Sequence, residues 1–253
     1  MGALGVAHEN DSELIPPPED GRVFERSMRP GLADCAPSGR TRLDALARWL
    51  QDVAYADIED AGLQDAAIWV VRRTRIRAAR FPRFSEHLTV RTFCSGIGRM
   101  WAERRTMIAR AGESKTEVDA VSLWVHLDPI TGRPAPLTAA ELAVYGGTVG
   151  DRRVKARLRH PGPGESESES AWSFRATDCD LADHVNNAAY WQPLEQELLA
   201  GPEPERIDVE IEFRTPSQPG EKRILASGPR RWITTVDREV HASALIRALE
   251  LRE

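Results

Sequence analysis

Between Asp178 and Tyr190 the chain brings together three carboxylates, a thiol, an imidazole, two carboxamides and a phenol. Asp180 and His184 stand four residues apart, and Asn186 and Asn187 follow at once. The residues around them predict a short strand over Trp172–Ala176 and a turn over Asp178–Asp183. A helix is expected from Asn187 onward, where Tyr190, Leu194 and Leu198 recur at helical intervals. A carboxylate and an imidazole beside a helix N-terminus suit acid–base work on a carbonyl. The unpaired N–H groups of such an end favour an oxygen that becomes negative in a transition state. The same residue types have plainer uses. Asp180 fits a helix cap or turn stabiliser, His184 a histidine bonded to the turn backbone, and Asn186 or Asn187 the closure of a strand–helix junction. Tyr190 is expected in a wall of the core or of a cleft.

The elements that must position this stretch are legible in order. A strand is expected over Val23–Pro30 and a turn-rich connection over Gly31–Gly39. A long helix follows, with Leu43, Leu46, Leu50 and Val53 on one face, Thr41 and Asp44 as a capping pair, and Gly62 as its end. In the next strand Val70, Arg72, Thr74 and Ile76 alternate with Val71, Arg73, Arg75 and Arg77, which predicts one mostly apolar face and one basic face. Further strands are expected over Leu88–Cys94, Arg99–Ala109 and Thr116–Leu127. Thr138 and Glu141 mark a capping box for a short helix reaching Gly147. One strand, one long helix and then consecutive antiparallel strands describe a curved sheet wrapped around a helix, and they exclude an alternating parallel architecture.

After a basic run from Arg152 to Arg159 and a polar Pro-Gly-Glu-Ser stretch, the same order recurs in shorter form. Its later strands are expected near Ile207–Phe213, Arg223–Ser227, Arg230–Val236 and Glu239–Glu250. Asp34-Cys35-Ala36 through Arg40 aligns with Asp178-Cys179-Asp180 through His184 at one constant offset, so the chain reads as a duplication. Only the second copy holds the carboxylate and imidazole; the first has Ala36 and Arg40, which suggests that it mainly shapes a cleft. The expected organisation is a flexible tail at 1–21, a first repeat at 22–150, a linker at 151–171 and a second repeat at 172–253. Pro193 inside the second helix predicts a kink or an offset start.

The pattern from Asp178 to Tyr190 resembles the second-half signature of the acyl-ACP (acyl carrier protein) thioesterases. Ile68 to Val71, Phe81-Pro82, Thr92 to Cys94 and Gly98-Arg99 look like the first half of that family, so the resemblance runs over about residues 22–253. It implies an α+β double hot-dog fold, two tandem repeats each with a long helix wrapped by a curved antiparallel sheet. It also implies hydrolysis of fatty acyl-ACP to free fatty acid and ACP in fatty acid biosynthesis, with no metal or organic cofactor. Asp178-Cys179-Asp180 reproduces a turn of the related 4-hydroxybenzoyl-CoA thioesterases whose second Asp does the carboxylate work. By that likeness Asp180 attacks the thioester or activates a water, His184 assists, and Asn186, Asn187, Tyr190 and Trp69 face the substrate. Trp49, Trp69 and Trp101 would line an acyl tunnel or sit in the core.

The plant enzymes carry Asn where this chain has Ala182, and Glu and Cys where it has Pro216 and Ser217. Either Asp180 and His184 suffice, with Asp183 or Ser217 assisting, or hydrolysis is lost and acyl binding kept. Acyl-CoA is the alternative substrate. A hot-dog hydratase, which also uses Asp and His, usually has an Asn-Pro pair that is absent here.

Composition sets the outer bounds. A net charge of −5 with 29% charged and 41% hydrophobic residues gives no reason to expect nucleic acid or a membrane as partner. Cys35, Cys94 and Cys179 are too scattered for a disulfide framework or metal cluster and suit a reducing cytoplasm. The basic series Arg73, Arg75, Arg77, Arg80 and Arg83 and the Arg152 to Arg159 run are candidates for docking an acidic carrier or a pantetheine phosphate. Two fused repeats make a monomer or a homodimer equally natural.

Overall fold

In a computed structural model, residues 14–164 and 168–247 are described. Most of the expected tail lies outside them. Helix α1, Leu43–Asp60, forms where the leucine and valine spacing predicts it, and Leu43, Leu46, Leu50 and Val53 are all buried. Burial of each stabilises the fold by about 1.5–3 kcal/mol. Its start differs from expectation. Thr41 donates its hydroxyl to the Pro82 carbonyl, Asp44 pairs with Arg42 and Arg48, and the first helical N–H, that of Leu43, donates to Glu195 at 3.0 Å. A carboxylate from the other half of the chain therefore caps the helix, a partner that local spacing cannot reveal. Gly62, at φ 70°, lies in the left-handed region just past the helix end.

The strands are β1 Phe24–Met28, β2 Ile68–Ala78, β3 Leu88–Ile97, β4 Trp101–Arg110, β5 Thr116–Leu127, β6 Ser168–Phe174, β7 Ile207–Phe213, β8 Gly220–Ser227, β9 Arg230–Thr234 and β10 Val240–Arg247. They form one antiparallel sheet in the order β1-β3-β4-β5-β2-β7-β10-β9-β8-β6. Read from the middle outward, β2-β5-β4-β3-β1 and β7-β10-β9-β8-β6 are the same arrangement. The two copies meet back to back through β2 and β7, with Ile76 opposite Val209. This is the double hot-dog: one sheet shared by the helices of both halves, with β1 and β6 as its edges.

The alternation in β2 does not run unbroken. Val71 pairs with Trp124 and Arg73 with Leu123, so Arg72 is an extra residue, a bulge that exchanges the faces. Val71 on one side of the bulge and Ile76 and Ala78 on the other consequently share the core. The expected basic face is not a solvated one. Arg73 and Arg75 are 2% and 4% exposed, and Arg75 pairs with Asp208 on the neighbouring β7. Arg73 lies 3.8 Å from Glu103 and 4.0 Å from Glu210.

Helix α2, Ala139–Val149, carries the expected capping box, with the Glu141 N–H bonded to Thr138 Oγ1 and the Thr138 N–H to Glu141 Oε2. The second repeat was expected to have a long helix from Asn187. Instead a short 3-10 turn, Ala189–Trp191, leads into α3, Gln192–Leu199, eight residues against eighteen in α1. Pro193 sits in the first turn of α3, where its missing N–H costs nothing, so the start is offset and no kink forms. Gly201 and Pro202 follow its end.

The connection between the halves is shorter than the sequence suggested, because β6 already begins at Ser168. Part of it crosses the sheet as a strap. The Val154 N–H donates to Ile97, Trp101 Nε1 to the Val154 carbonyl, the N–H groups of Arg159 and His160 to Glu212, and Trp232 Nε1 to Pro161. No described helix is long and apolar enough to cross a membrane.

Candidate active site

The turn that holds Asp180 has a structural twin. Asp180 N–H donates to the His184 carbonyl at 3.0 Å, and Ala36 N–H donates to the Arg40 carbonyl at 2.8 Å. Isolated bridges join Cys179 to Val185 and Cys35 to Thr41. Asp178 accepts from the Arg175 N–H and from Gln192; Asp34 accepts from the Gly31 N–H and from Arg48. The first aspartate of each turn is thus a backbone fastener in both copies. Positive φ at Asp183, 57°, and Gly39, 84°, turns both chains back at the same point.

What differs is what the turns present. In the first copy Ala36 offers no carboxylate, and Arg40, 3% exposed, pairs with Glu195 at 2.8 Å and Glu203 at 2.5 Å. That turn is sealed. In the second copy Asp180 and His184 are exposed. Asp180 Oδ1 accepts the Ala182 N–H at 2.9 Å, and Oδ2 accepts Asn186 Nδ2 at 2.9 Å. Two donors fix the carboxylate plane, and lone pairs on both oxygens stay open.

Asn186 is the hub of this arrangement. It also donates to Gln51 Oε1 at 3.0 Å, accepts from Gln51 Nε2 at 3.3 Å, and accepts the Ala188 N–H at 2.7 Å. Gln51 is on α1, so a residue of the first repeat braces the carboxylate of the second. The sequence reading missed it. One signal was present: Gln51, Tyr55 and Ile58 fall on one stripe of α1, and its first member is polar.

Tyr55, one turn beyond Gln51 on α1, lines a cleft. Burial pushes its phenol up, and the charge of Asp180 adds to the shift. Its ring meets Trp124 edge-on at 6.3 Å. The cleft holds about 520 Å³ of empty space, mouth included, between α1 and the sheet of the first repeat. Tyr55, Ile58, Trp69, Trp124, Leu137 and Tyr145 are among its walls.

The remaining sequence candidates separate clearly. Trp69 lines the cleft and stacks edge-on against His126 at 5.0 Å. Asn187 is half-buried, and its carboxamide has no hydrogen-bond partner among the described residues. The ring of His184 has none there either, while its carbonyl holds Asp180 N–H. Tyr190 is 2% exposed, packed between Phe174 and Phe213, and burial pushes its phenol up to about 12. It belongs to the core. Ser217 is fully buried and donates its hydroxyl to the Gln218 carbonyl; its own carbonyl receives the Val185 N–H. It fastens the turn. Asp183 is exposed, and its carbonyl accepts from Gln218. Where the plant enzymes have an Asn side chain, the Ala182 backbone supplies a donor to Asp180.

Comparison with known proteins decides the family. Residues 21–145 match the acyl-ACP thioesterase N-terminal domain and residues 163–231 the C-terminal domain, together more than three quarters of the chain. The chain belongs to the acyl-ACP thioesterase family. It is a thioester hydrolase acting on fatty acyl thioesters. It is 28% identical to an uncharacterized protein of Mycobacterium tuberculosis over 94% of this chain and 97% of the other. It is 23% identical to the chloroplastic oleoyl-acyl carrier protein thioesterase 2 of Arabidopsis thaliana, over 93% of this chain and 74% of that one. Among solved structures, an acyl-ACP thioesterase from Bacteroides thetaiotaomicron superposes with a TM-score of 0.73 at 17% identity, covering 89% of this chain and 98% of that one.

One further cluster has ligand-type atoms: His160, Glu210 and Glu212 each bring one within 4.8 Å of the others. Its surroundings speak for an ion-pair knot. Glu212 accepts two backbone N–H groups of the strap, and Glu210 faces His160, Arg73 and Arg247. Burial alone would raise Glu210. The His160 hydrogen bond and the two guanidinium charges outweigh it and hold the carboxyl down at about 2.

Proposed function

We propose that the protein hydrolyses fatty acyl-ACP to a free fatty acid and ACP, in fatty acid biosynthesis, with Asp180 as general base. One observation carries this reading. Asp180, an exposed carboxylate of the second turn with no counterpart in the first, is clamped by two donors and braced by Gln51 on α1, the helix whose next turns wall an apolar cleft in the other repeat.

In the reaction Asp180 takes a proton from a water, and the oxygen of that water bonds to the thioester carbon. The carbonyl oxygen becomes an oxyanion, for which the unpartnered Asn187 carboxamide is an available side-chain donor. Collapse of the tetrahedral intermediate breaks the C–S bond. The proton returns from Asp180, or comes from His184, to the departing sulfur. Asn186 is fully engaged in holding Asp180 and Gln51, so it serves as a positioning residue. The acyl chain extends past Tyr55 into the cleft beside Trp69 and Trp124.

Asp180→Asn keeps the size of the side chain and removes the base. We expect kcat on oleoyl-ACP to fall by about 10²–10⁴ with an unchanged circular dichroism spectrum. Near-normal turnover would exclude Asp180. A single turnover in ¹⁸O-water distinguishes the chemistry: label in the fatty acid alone agrees with general base action, and label in the Asp180 carboxylate would replace it by direct attack.

A further inference from the structure

Two uncharged donors on the walls of the first-repeat cleft are left without a partner. Trp124 and Tyr145 are each 7% exposed, and neither Trp124 Nε1 nor the Tyr145 hydroxyl makes a hydrogen bond to any described residue. For the indole the reason lies in its neighbours. Across the ladder Trp124 faces Ala102 on β4 and Val71 on β2, and from α1 come Ala54, Ile58 and the ring of Tyr55, which meets it edge-on. The aliphatic side chains have no acceptor, and the Tyr55 contact is through its ring. The Tyr145 hydroxyl stands near Arg104 and Asp57 without a formed hydrogen bond, and burial pushes it up to about 12, so it keeps its proton. The charged groups of the same cleft are already engaged. Glu103 accepts from Ser95 and Arg152, Arg104 pairs with Asp57 at 2.6 Å, and Glu141 holds the first turn of α2 and faces His126. Buried donors are almost always satisfied in folded proteins, so a bare one on a cavity wall calls for an acceptor from outside the chain. A lone water fits poorly beside the indole, because it needs about two to four polar partners and the surroundings there are hydrocarbon.

We propose that the cleft takes an acyl chain carrying an oxygen of its own, a hydroxyl or keto group along the chain, with Trp124 as the donor to that oxygen and Tyr145 as the second donor. This deepens the hydrolase reading of the preceding section and rests on it, since the chain is the one that extends past Tyr55 into the cleft. A plain alkyl chain would cover the apolar walls and leave both donors dry, at the full cost of their lost hydration. An oxygen on the chain restores the bond. It also arrives already held, because the walls fix the carbons on either side of it. Hydroxyl and carbonyl oxygens both accept, whereas an indole N–H can only donate, so the site selects for an acceptor and admits either group. A pocket built around a bare buried donor rejects the analogue that lacks the acceptor far more strongly than hydrocarbon walls alone can.

The wild-type protein is assayed on a matched series of dodecanoyl thioesters of N-acetylcysteamine, unsubstituted or with one hydroxyl or keto group at each chain carbon in turn. The expected result is a kcat/KM about tenfold or more higher for the oxygenated chain at one carbon or at two adjacent ones. Trp124→Phe keeps an aromatic ring and removes the N–H, and in it the ratio of oxygenated to unsubstituted kcat/KM falls toward one. Tyr145→Phe removes only the hydroxyl, and there the ratio falls part of the way. No gain at any carbon overturns the proposal. So does a gain that both variants retain, which would place the donor elsewhere. Should Trp124→Phe fail to fold by circular dichroism, the scan on the wild type and the Tyr145→Phe ratio decide between them. If the wild-type protein hydrolyses none of the thioesters, the proposed activity fails independently. Calorimetric titration with the free hydroxydodecanoic acids still decides the cleft: binding tighter than that of dodecanoic acid and lost in the variants supports it, and equal binding excludes it.

Discussion

A catalytic carboxylate in an exposed turn must be held in place, since a base that wanders loses the advantage of orientation. As the proposed base, Asp180 meets this requirement with one backbone donor and one amide donor, and the amide is itself held by Gln51 from the opposite repeat. Gln51→Ala leaves Asp180 its partner but frees that partner to rotate. We expect kcat to fall about tenfold while KM stays level, because Gln51 braces the base and does not line the cleft. Asn186→Ala should cost more, and the double variant should cost no more than Asn186→Ala alone, since both act through one hydrogen-bonded chain. Strictly additive losses in that double-mutant cycle would mean that Gln51 works elsewhere.

Among the elements, the strap depends most on charge. Its backbone N–H groups at 159 and 160 end on Glu212, and its His160 bonds Ser243 and Glu210, the latter lying between Arg73 and Arg247 in the sheet. Glu210 stands at about 2 in the folded chain against 4.5 for the free side chain. Its contribution to stability is therefore complete above about pH 4.5 and is lost as the pH falls toward 2. Glu210→Gln should destabilise the protein at pH 7 by about 3–5 kcal/mol, because it leaves Arg73 and His160 buried beside a neutral group. The same variant should show a smaller drop in Tm than the wild type between pH 7 and pH 3. Parallel acid profiles for the two proteins would show that the knot does not set the acid limit.

At the scale of the whole molecule, the two repeats are not independent modules. β2 and β7 form the central seam, α1 takes its N-terminal cap from Glu195 on α3, and Arg40 of the first repeat is neutralised by Glu195 and Glu203 of the second. Either half alone would expose a long central strand as an edge and leave a buried arginine or glutamate without its partner. Residues 14–164 expressed alone should be aggregated or unfolded by size exclusion and circular dichroism, and co-expression with the remainder should restore one sheet. A soluble, cooperatively melting first repeat would show that the seam is dispensable.

By itself the sequence determined the architecture and the two homologous turns, because both rest on local patterns. Leucine spacing along α1, the Thr138–Glu141 box, strand alternation and the repeated Asp-Cys turn all lie within a few residues of one another. Their physics is that of neighbouring backbone groups, which a linear reading contains. What required the fold is the meeting of distant residues. Asp208 and Glu210 of the neighbouring β7 turned an expected basic surface into buried pairs with Arg75 and Arg73. Glu195 replaced the local cap expected for α1, Tyr190 went to the core, and Gln51 became the brace of a carboxylate 129 positions away. In each case the deciding partner comes from the other repeat or another strand. Charges and amides are placed by whatever the folded sheet brings opposite them, and spacing along the chain carries no record of that.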